Sequence, residues 1–75
     1  YNEYVMTGLR TVWGISLDTV QSEFGEKYKE YLMLQADKFI GEHLLYLDGD
    51  VLLATNKGRF LVDGIAADLF MLKME

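Results

Sequence analysis

The 75-residue sequence contains no cysteine. That excludes a disulfide scaffold, and any zinc or iron–sulfur site held by thiolates within this stretch. Nothing points to secretion, and a reducing, cytoplasmic setting is the expectation. Histidine occurs once, as His43. A metal site of the usual composition would need further ligands, and none stands at helical or hairpin spacing from it. No apolar run approaches the roughly 20 residues that a membrane-spanning helix requires, and no signal-peptide pattern is visible. Basic residues are scarce: seven Lys and Arg face twelve Asp and Glu, a net charge of −5. Phosphate neutralisation supplies much of the affinity of nucleic-acid-binding domains, so this balance argues against DNA or RNA as a partner.

What is present suffices for a small folded domain. Seventy-five residues make a single domain, residues 1–75, with no room for a second. A chain of this size buries only about 60% of its unfolded surface, so marginal stability is expected. Apolar residues make up 51%, with one Trp, five Tyr and four Phe, enough for a core and against disorder. The first residue is Tyr1, which suits a dissected domain or a processed fragment.

Periodicity divides the chain. Over residues 3–13, Val5, Met6, Leu9, Val12 and Trp13 recur at helical spacing, with Glu3 in the first turn, Arg10 in the last and Gly14 as the stop. Ser16 is a good N-cap for a second helix carrying Leu17, Val20 and Phe24 and ending at Gly25. Residues 26–40 form a third helix, with Tyr28, Tyr31, Leu32, Gln35, Ala36, Phe39 and Ile40 on roughly one face and Gly41 as its stop. Two apolar runs, 44–47 and 51–54, then flank Asp48-Gly49-Asp50, a strong hairpin signal. Thr55 caps a final helix over 56–72, with Phe60, Leu61, Ile65, Leu69 and Leu72 as its stripe and Lys73 near its negative end. Within it, Gly58 marks close packing at the helix start, and Gly64 offers room for another helix. The expected fold is α+β, mostly helical and winged-helix-like: three helices, a β-hairpin and a C-terminal helix.

Chemistry-bearing residues have adequate structural roles. His43 sits between a helix end and a strand, where partial positive charge suits the dipole. Met6, Met33, Met71 and Met74 could offer sulfur to haem iron, but methionine more often fills irregular core gaps. Glu3, Asp18 and Glu23 fall on first or exposed turns, where carboxylates are expected anyway. Asp48 and Asp50 lack the longer oxygen series and distal Glu of a calcium loop. More distinctive is Gly8 beside Arg10: a weak helix position, open to close contact, next to a bidentate donor. The partner of Arg10 could be Glu3, Asp63 or a group outside this stretch.

The ordered set Glu3, Met6, Gly8, Leu9, Arg10, Gly14, Ile15, then Phe24 and Gly25, then Leu53, Thr55, Gly58, Asp63 and Ile65 runs through most of the chain. It resembles the C-terminal domain of the oxygen-independent coproporphyrinogen III oxidase family. That family of radical S-adenosylmethionine proteins includes a haem-chaperone branch. The resemblance implies a preceding catalytic barrel whose Cys-x-x-x-Cys-x-x-Cys motif holds a [4Fe–4S] cluster and binds S-adenosylmethionine. Neither that motif nor the chaperone branch's His-Asn-x-x-Tyr-Trp occurs here. It implies that the parent either decarboxylates coproporphyrinogen III or delivers haem; the Tyr4–Arg10 segment looks closer to the chaperone branch. The resemblance therefore implies a non-catalytic accessory domain, without cofactor or metal of its own, whose partner is the barrel. A tetrapyrrole is a further candidate partner. Gly8, Arg10 and Trp13 are the candidate interdomain contacts. The competing expectation is a nucleic-acid-binding winged helix, with the third helix as its recognition helix.

Overall fold

A computed structural model describes residues 1–70. The elements, in order, are α1 (Asn2–Leu9), β1 (Ile15–Ser16), α2 (Leu17–Phe24), α3 (Glu26–Gly41), β2 (Leu45–Asp48), β3 (Val51–Ala54), α4 (Asn56–Arg59) and α5 (Val62–Leu69). The fold is α+β and mostly helical, as expected. Periodicity did not reveal β1. This two-residue strand pairs antiparallel with β3, Ile15 opposite Leu52, and the sheet order is β1-β3-β2.

Helix α1 ends earlier than the apolar spacing predicts. The Arg10 and Thr11 N–H groups bond to the Thr7 and Gly8 carbonyls, three residues back, and the Thr11 hydroxyl also donates to the Gly8 carbonyl. The last turn tightens and the chain leaves the helix. Gly14 then takes φ +72°, and the chain doubles back so closely that a Cβ on Gly8 would lie 2.7 Å from Ile15 Cγ1 and 2.8 Å from the Gly14 carbonyl oxygen. Val12 and Trp13 therefore lie in an exposed connection rather than on the apolar face of α1.

The caps of α2 follow the sequence closely, whereas α3 includes Gly41, its expected stop, and is capped at Glu42 before His43 turns the chain at φ +63°. Ser16 Oγ accepts from the Thr19 N–H at 3.2 Å, and Gly25 closes α2 at φ +109°. In the hairpin, Gly49 takes φ +62° at the first of two turn residues, the place where a two-residue loop wants glycine. The second, Asp50, reaches across: its carboxylate accepts from the Asp18 N–H at 2.8 Å, and its carbonyl accepts from the Leu17 N–H at 2.9 Å. The hairpin tip thus caps the start of α2, an arrangement of the kind that contributes about 1 kcal/mol.

The expected final helix is two helices. Thr55 Oγ1 accepts from the Gly58 N–H at 3.0 Å and caps α4 as predicted. Gly58 is buried against the Leu44 main chain, where a Cβ would overlap the Leu44 carbonyl. That contact pins α4 to the base of the hairpin. Leu61, at φ −121°, breaks the helix, and α5 turns to pack on α1. Phe60 and Leu61 are left exposed; Ile65 and Leu69 are buried as the stripe requires. Gly64 has no neighbour where a Cβ would stand, so it admits no close helix. Leu72 and Lys73 lie outside the described residues.

The core joins Val5 and Leu9 of α1, Leu17 and Val20 of α2, Leu32 and Ala36 of α3, and Ile65, Ala66 and Leu69 of α5 onto the inner sheet face of Ile15, Leu45, Leu52 and Ala54. Beside it, Tyr1 packs edge-on against Phe24 and close to Tyr28. The Tyr1 and Tyr31 hydroxyls donate to the carbonyls of Leu69 and Phe70, at 2.8 and 2.9 Å, satisfying the end of α5. Burial, with Tyr31 and Tyr28 nearby, pushes the Tyr1 phenol above its ordinary range. Deprotonation of Tyr1 is therefore disfavoured in the folded state. Its contribution to stability is complete below the unfolded phenol value of about 10 and is lost as pH rises above it.

Candidate docking face

The chemistry-bearing side chains singled out in the sequence are placed structurally. His43 is an exposed turn residue at φ +63° between α3 and β2, its carbonyl accepting from Thr55 Oγ1 at 2.7 Å. Glu3, Asp18 and Glu23 are exposed on helices. Met6 and Met33 pack against the core, and Met71 and Met74 lie outside the described residues. No group of three or more His, Asp or Glu side chains converges on a metal position among the described residues. None of them carries a buried side-chain polar atom without a hydrogen-bond partner.

The residues around Arg10 behave differently. Gly8 is buried, and the close approach it permits is to β1 within the domain. The Arg10 Nη2 donates to Asp63 Oδ1 at 2.9 Å, so of the partners open from the sequence the structure selects Asp63. Both side chains are more than half exposed, and a pair of that kind contributes about 0–1 kcal/mol. Its greater effect is geometric. It ties the connection after α1 to the start of α5.

Among the described residues, those two connections carry the two most exposed large apolar side chains, Phe60 and Trp13, together with Leu61 and Val12. Val12 is 65% exposed and Trp13 78%; Phe60 is 90% exposed and Leu61 51%. Arg10 lies two residues before Val12, and Asp63 two residues after Leu61, so one bridge holds both stretches at the same end of the molecule. Trp13 was legible as a contact candidate. Phe60 was not, because the helical pattern assigned it to a buried stripe. The signal available was Gly58: a residue packed on a neighbouring main chain leaves a short helix little freedom to turn its next side chain inward.

Residues 1–61 match the family model described as the HemN C-terminal domain, a stretch that includes both exposed connections. Among curated proteins and among solved structures, nothing matches the chain. The family match spans most of the chain from α1 through α4, and the chain accordingly belongs to the HemN C-terminal domain family, a domain of the coproporphyrinogen oxidase type of radical S-adenosylmethionine protein.

Proposed function

We propose that this chain is a non-catalytic accessory domain that packs on the radical S-adenosylmethionine barrel of its parent and helps to cover a tetrapyrrole site there. The parent would either decarboxylate coproporphyrinogen III or deliver haem. The observation that carries the reading is the family match, together with a domain whose polar side chains serve caps and turns while four apolar side chains, Val12, Trp13, Phe60 and Leu61, are exposed at one end. An iron–sulfur cluster does not fit the residues present, which include no cysteine and no converging acid or histidine group among those described. In this reading the cluster ligands belong to the barrel, and no step of its chemistry is assigned to this chain.

The order of helices and the β1-β3-β2 sheet support the winged-helix-like reading, which keeps nucleic acid in view as the alternative. Charge weighs against it. Along α3 the acids Glu26, Glu30 and Asp37 offset Lys27, Lys29 and Lys38, and the hairpin tip presents Asp48 and Asp50. The helix thus has no net positive charge to offer phosphate, and the tip would repel it.

The test is removal of residues 1–75 from the full-length parent. The cluster absorbance and S-adenosylmethionine binding are expected to survive, while turnover, or haem transfer in a chaperone, falls by about tenfold or more, roughly 1.4 kcal/mol of lost stabilisation. Unchanged turnover and haem transfer would contradict the accessory role. Salt-sensitive binding of duplex DNA by the full-length protein, lost in the truncation, would favour the alternative.

A further inference from the structure

We propose that the end of the domain built around the Arg10–Asp63 pair docks on a face of the parent's catalytic domain that is apolar at its centre and rimmed by carboxylates. This rests on the accessory-domain reading and adds to it the surface and the chemistry of its partner.

Helices α1 and α5 pack on each other and run antiparallel, with Tyr1 bonded to Leu69 at one end and Arg10 to Asp63 at the other. Val12 and Trp13 leave α1 at the second end, and Phe60 and Leu61 enter α5 there. Both connections are held firmly. The first is fixed by the Thr11–Gly8 bonds and the tight approach of Gly8 to β1, the second by Gly58 against Leu44 and by the Leu61 N–H donating to the Gly58 carbonyl at 2.8 Å. Connections of this kind usually carry small and polar residues. Here four large apolar side chains are exposed on a rigid support, which is the composition of an interface centre rich in Trp and Arg.

Charge selects the partner. Arg10 in the first connection, Lys57 and Arg59 in α4 just before the second, and Asp63 at the start of α5 just after it flank these side chains, with Asp63 as the single acid among them. The rest of the sequence has eleven acids against four bases. A carboxylate-bearing surface is therefore attracted to this end and repelled by the remainder of the chain. The other strongly exposed apolar side chain on a helix, Leu34, shares its groove with Glu26, Glu30 and Asp37 against the one cation Lys29, so the same partner would favour that face less. Arg10 has five N–H donors, and its bond to Asp63 uses one, which leaves the guanidinium able to meet a second carboxylate.

The test uses the full-length protein and a water-soluble carbodiimide, which joins a lysine amine directly to a carboxylate. Lys57 is expected to couple to an Asp or Glu of the catalytic domain, with the yield falling as salt is raised. In the double variant Lys57→Glu, Arg59→Glu, protease cleavage between the two domains is expected to accelerate about tenfold. Both positions are exposed, so the circular dichroism of the variant should be unchanged. Trp13→Ala should accelerate cleavage similarly without altering charge. If instead Lys27 or Lys29 of α3 couples to the catalytic domain and Lys57 does not, the accessory reading survives and this surface is wrong. If no lysine of the domain couples to the catalytic domain and the double variant is cleaved at the normal rate, both fall. Loss of the Lys57 coupling on adding duplex DNA or a tetrapyrrole, with domain contact undisturbed, would also overturn the proposal, since the cations would then serve that ligand.

Discussion

Gly14→Ala should cost the domain about 3 kcal/mol or more, from a left-handed backbone worth about 1–2 kcal/mol and overpacking worth about 1–3. Gly14 holds φ +72°, where an L-residue is strained whatever the space around it. The space is also missing: a Cβ there would stand 2.5 Å from the Leu52 carbonyl oxygen and 2.8 Å from Val51 Cγ1. The first of these is main chain of the central strand and cannot swing aside as a side-chain tip would. Relief requires β1 to move away from β3, and β1 has only two residues with which to resist. Urea unfolding checks it. The midpoint should fall sharply with little change in slope. A shift equivalent to less than about 1 kcal/mol would mean that the approach of Gly14 to β3 is not essential.

Leu52→Ala is the second large effect, expected at about 2–5 kcal/mol. Leu52 is fully buried in the middle strand, opposite Ile15 on one side and Leu47 on the other, so truncation opens a cavity where the sheet meets the helices. A domain of this length has a total stability of about 4–11 kcal/mol at 0.05–0.15 kcal/mol per residue, so the variant should be partly unfolded at 37 °C or below. The neighbouring Leu53 is only half-buried and supplies the control: Leu53→Ala should cost clearly less. Equal effects at the two positions would contradict the alternation of inner and outer faces along β3.

Local chemistry made much of this fold legible. Ser16 and Thr55 cap the helices that their side chains predict, Gly25 and Gly49 take the left-handed conformations their places require, and the hairpin forms around its Asp-Gly turn. What the pattern missed depends on contacts distant in sequence. Two residues are too few for β1 to show a period, and Ile15 and Ser16 become a strand only because β3 lies alongside. Val12 and Trp13 extend the helical spacing of α1, yet Thr11 and the double-back through Gly14 end the helix before them. Phe60 and Leu61 fit a stripe with Ile65 and Leu69, but the packing of Gly58 on Leu44 sets α4 in one direction and α5 in another. At both places an apolar residue expected inside is left outside, and together these residues make the candidate docking face. Arg10 was legible as the half of a pair, while its choice of Asp63 over Glu3 required the antiparallel packing of α1 on α5.

Hydroxyl-radical footprinting of the full-length parent, read residue by residue by mass spectrometry, tests the central claim most directly. Within this domain alone, Trp13 and Phe60 are 78% and 90% exposed, and Leu34 on α3 is 71% exposed. The docking account predicts that Trp13 and Phe60 are protected in the full-length protein while Leu34 is oxidised at the rate its exposure demands, and that Lys57→Glu with Arg59→Glu restores oxidation at both aromatic residues. Full oxidation of Trp13 and Phe60 in the unaltered protein, with protection at Leu34 instead, would contradict it.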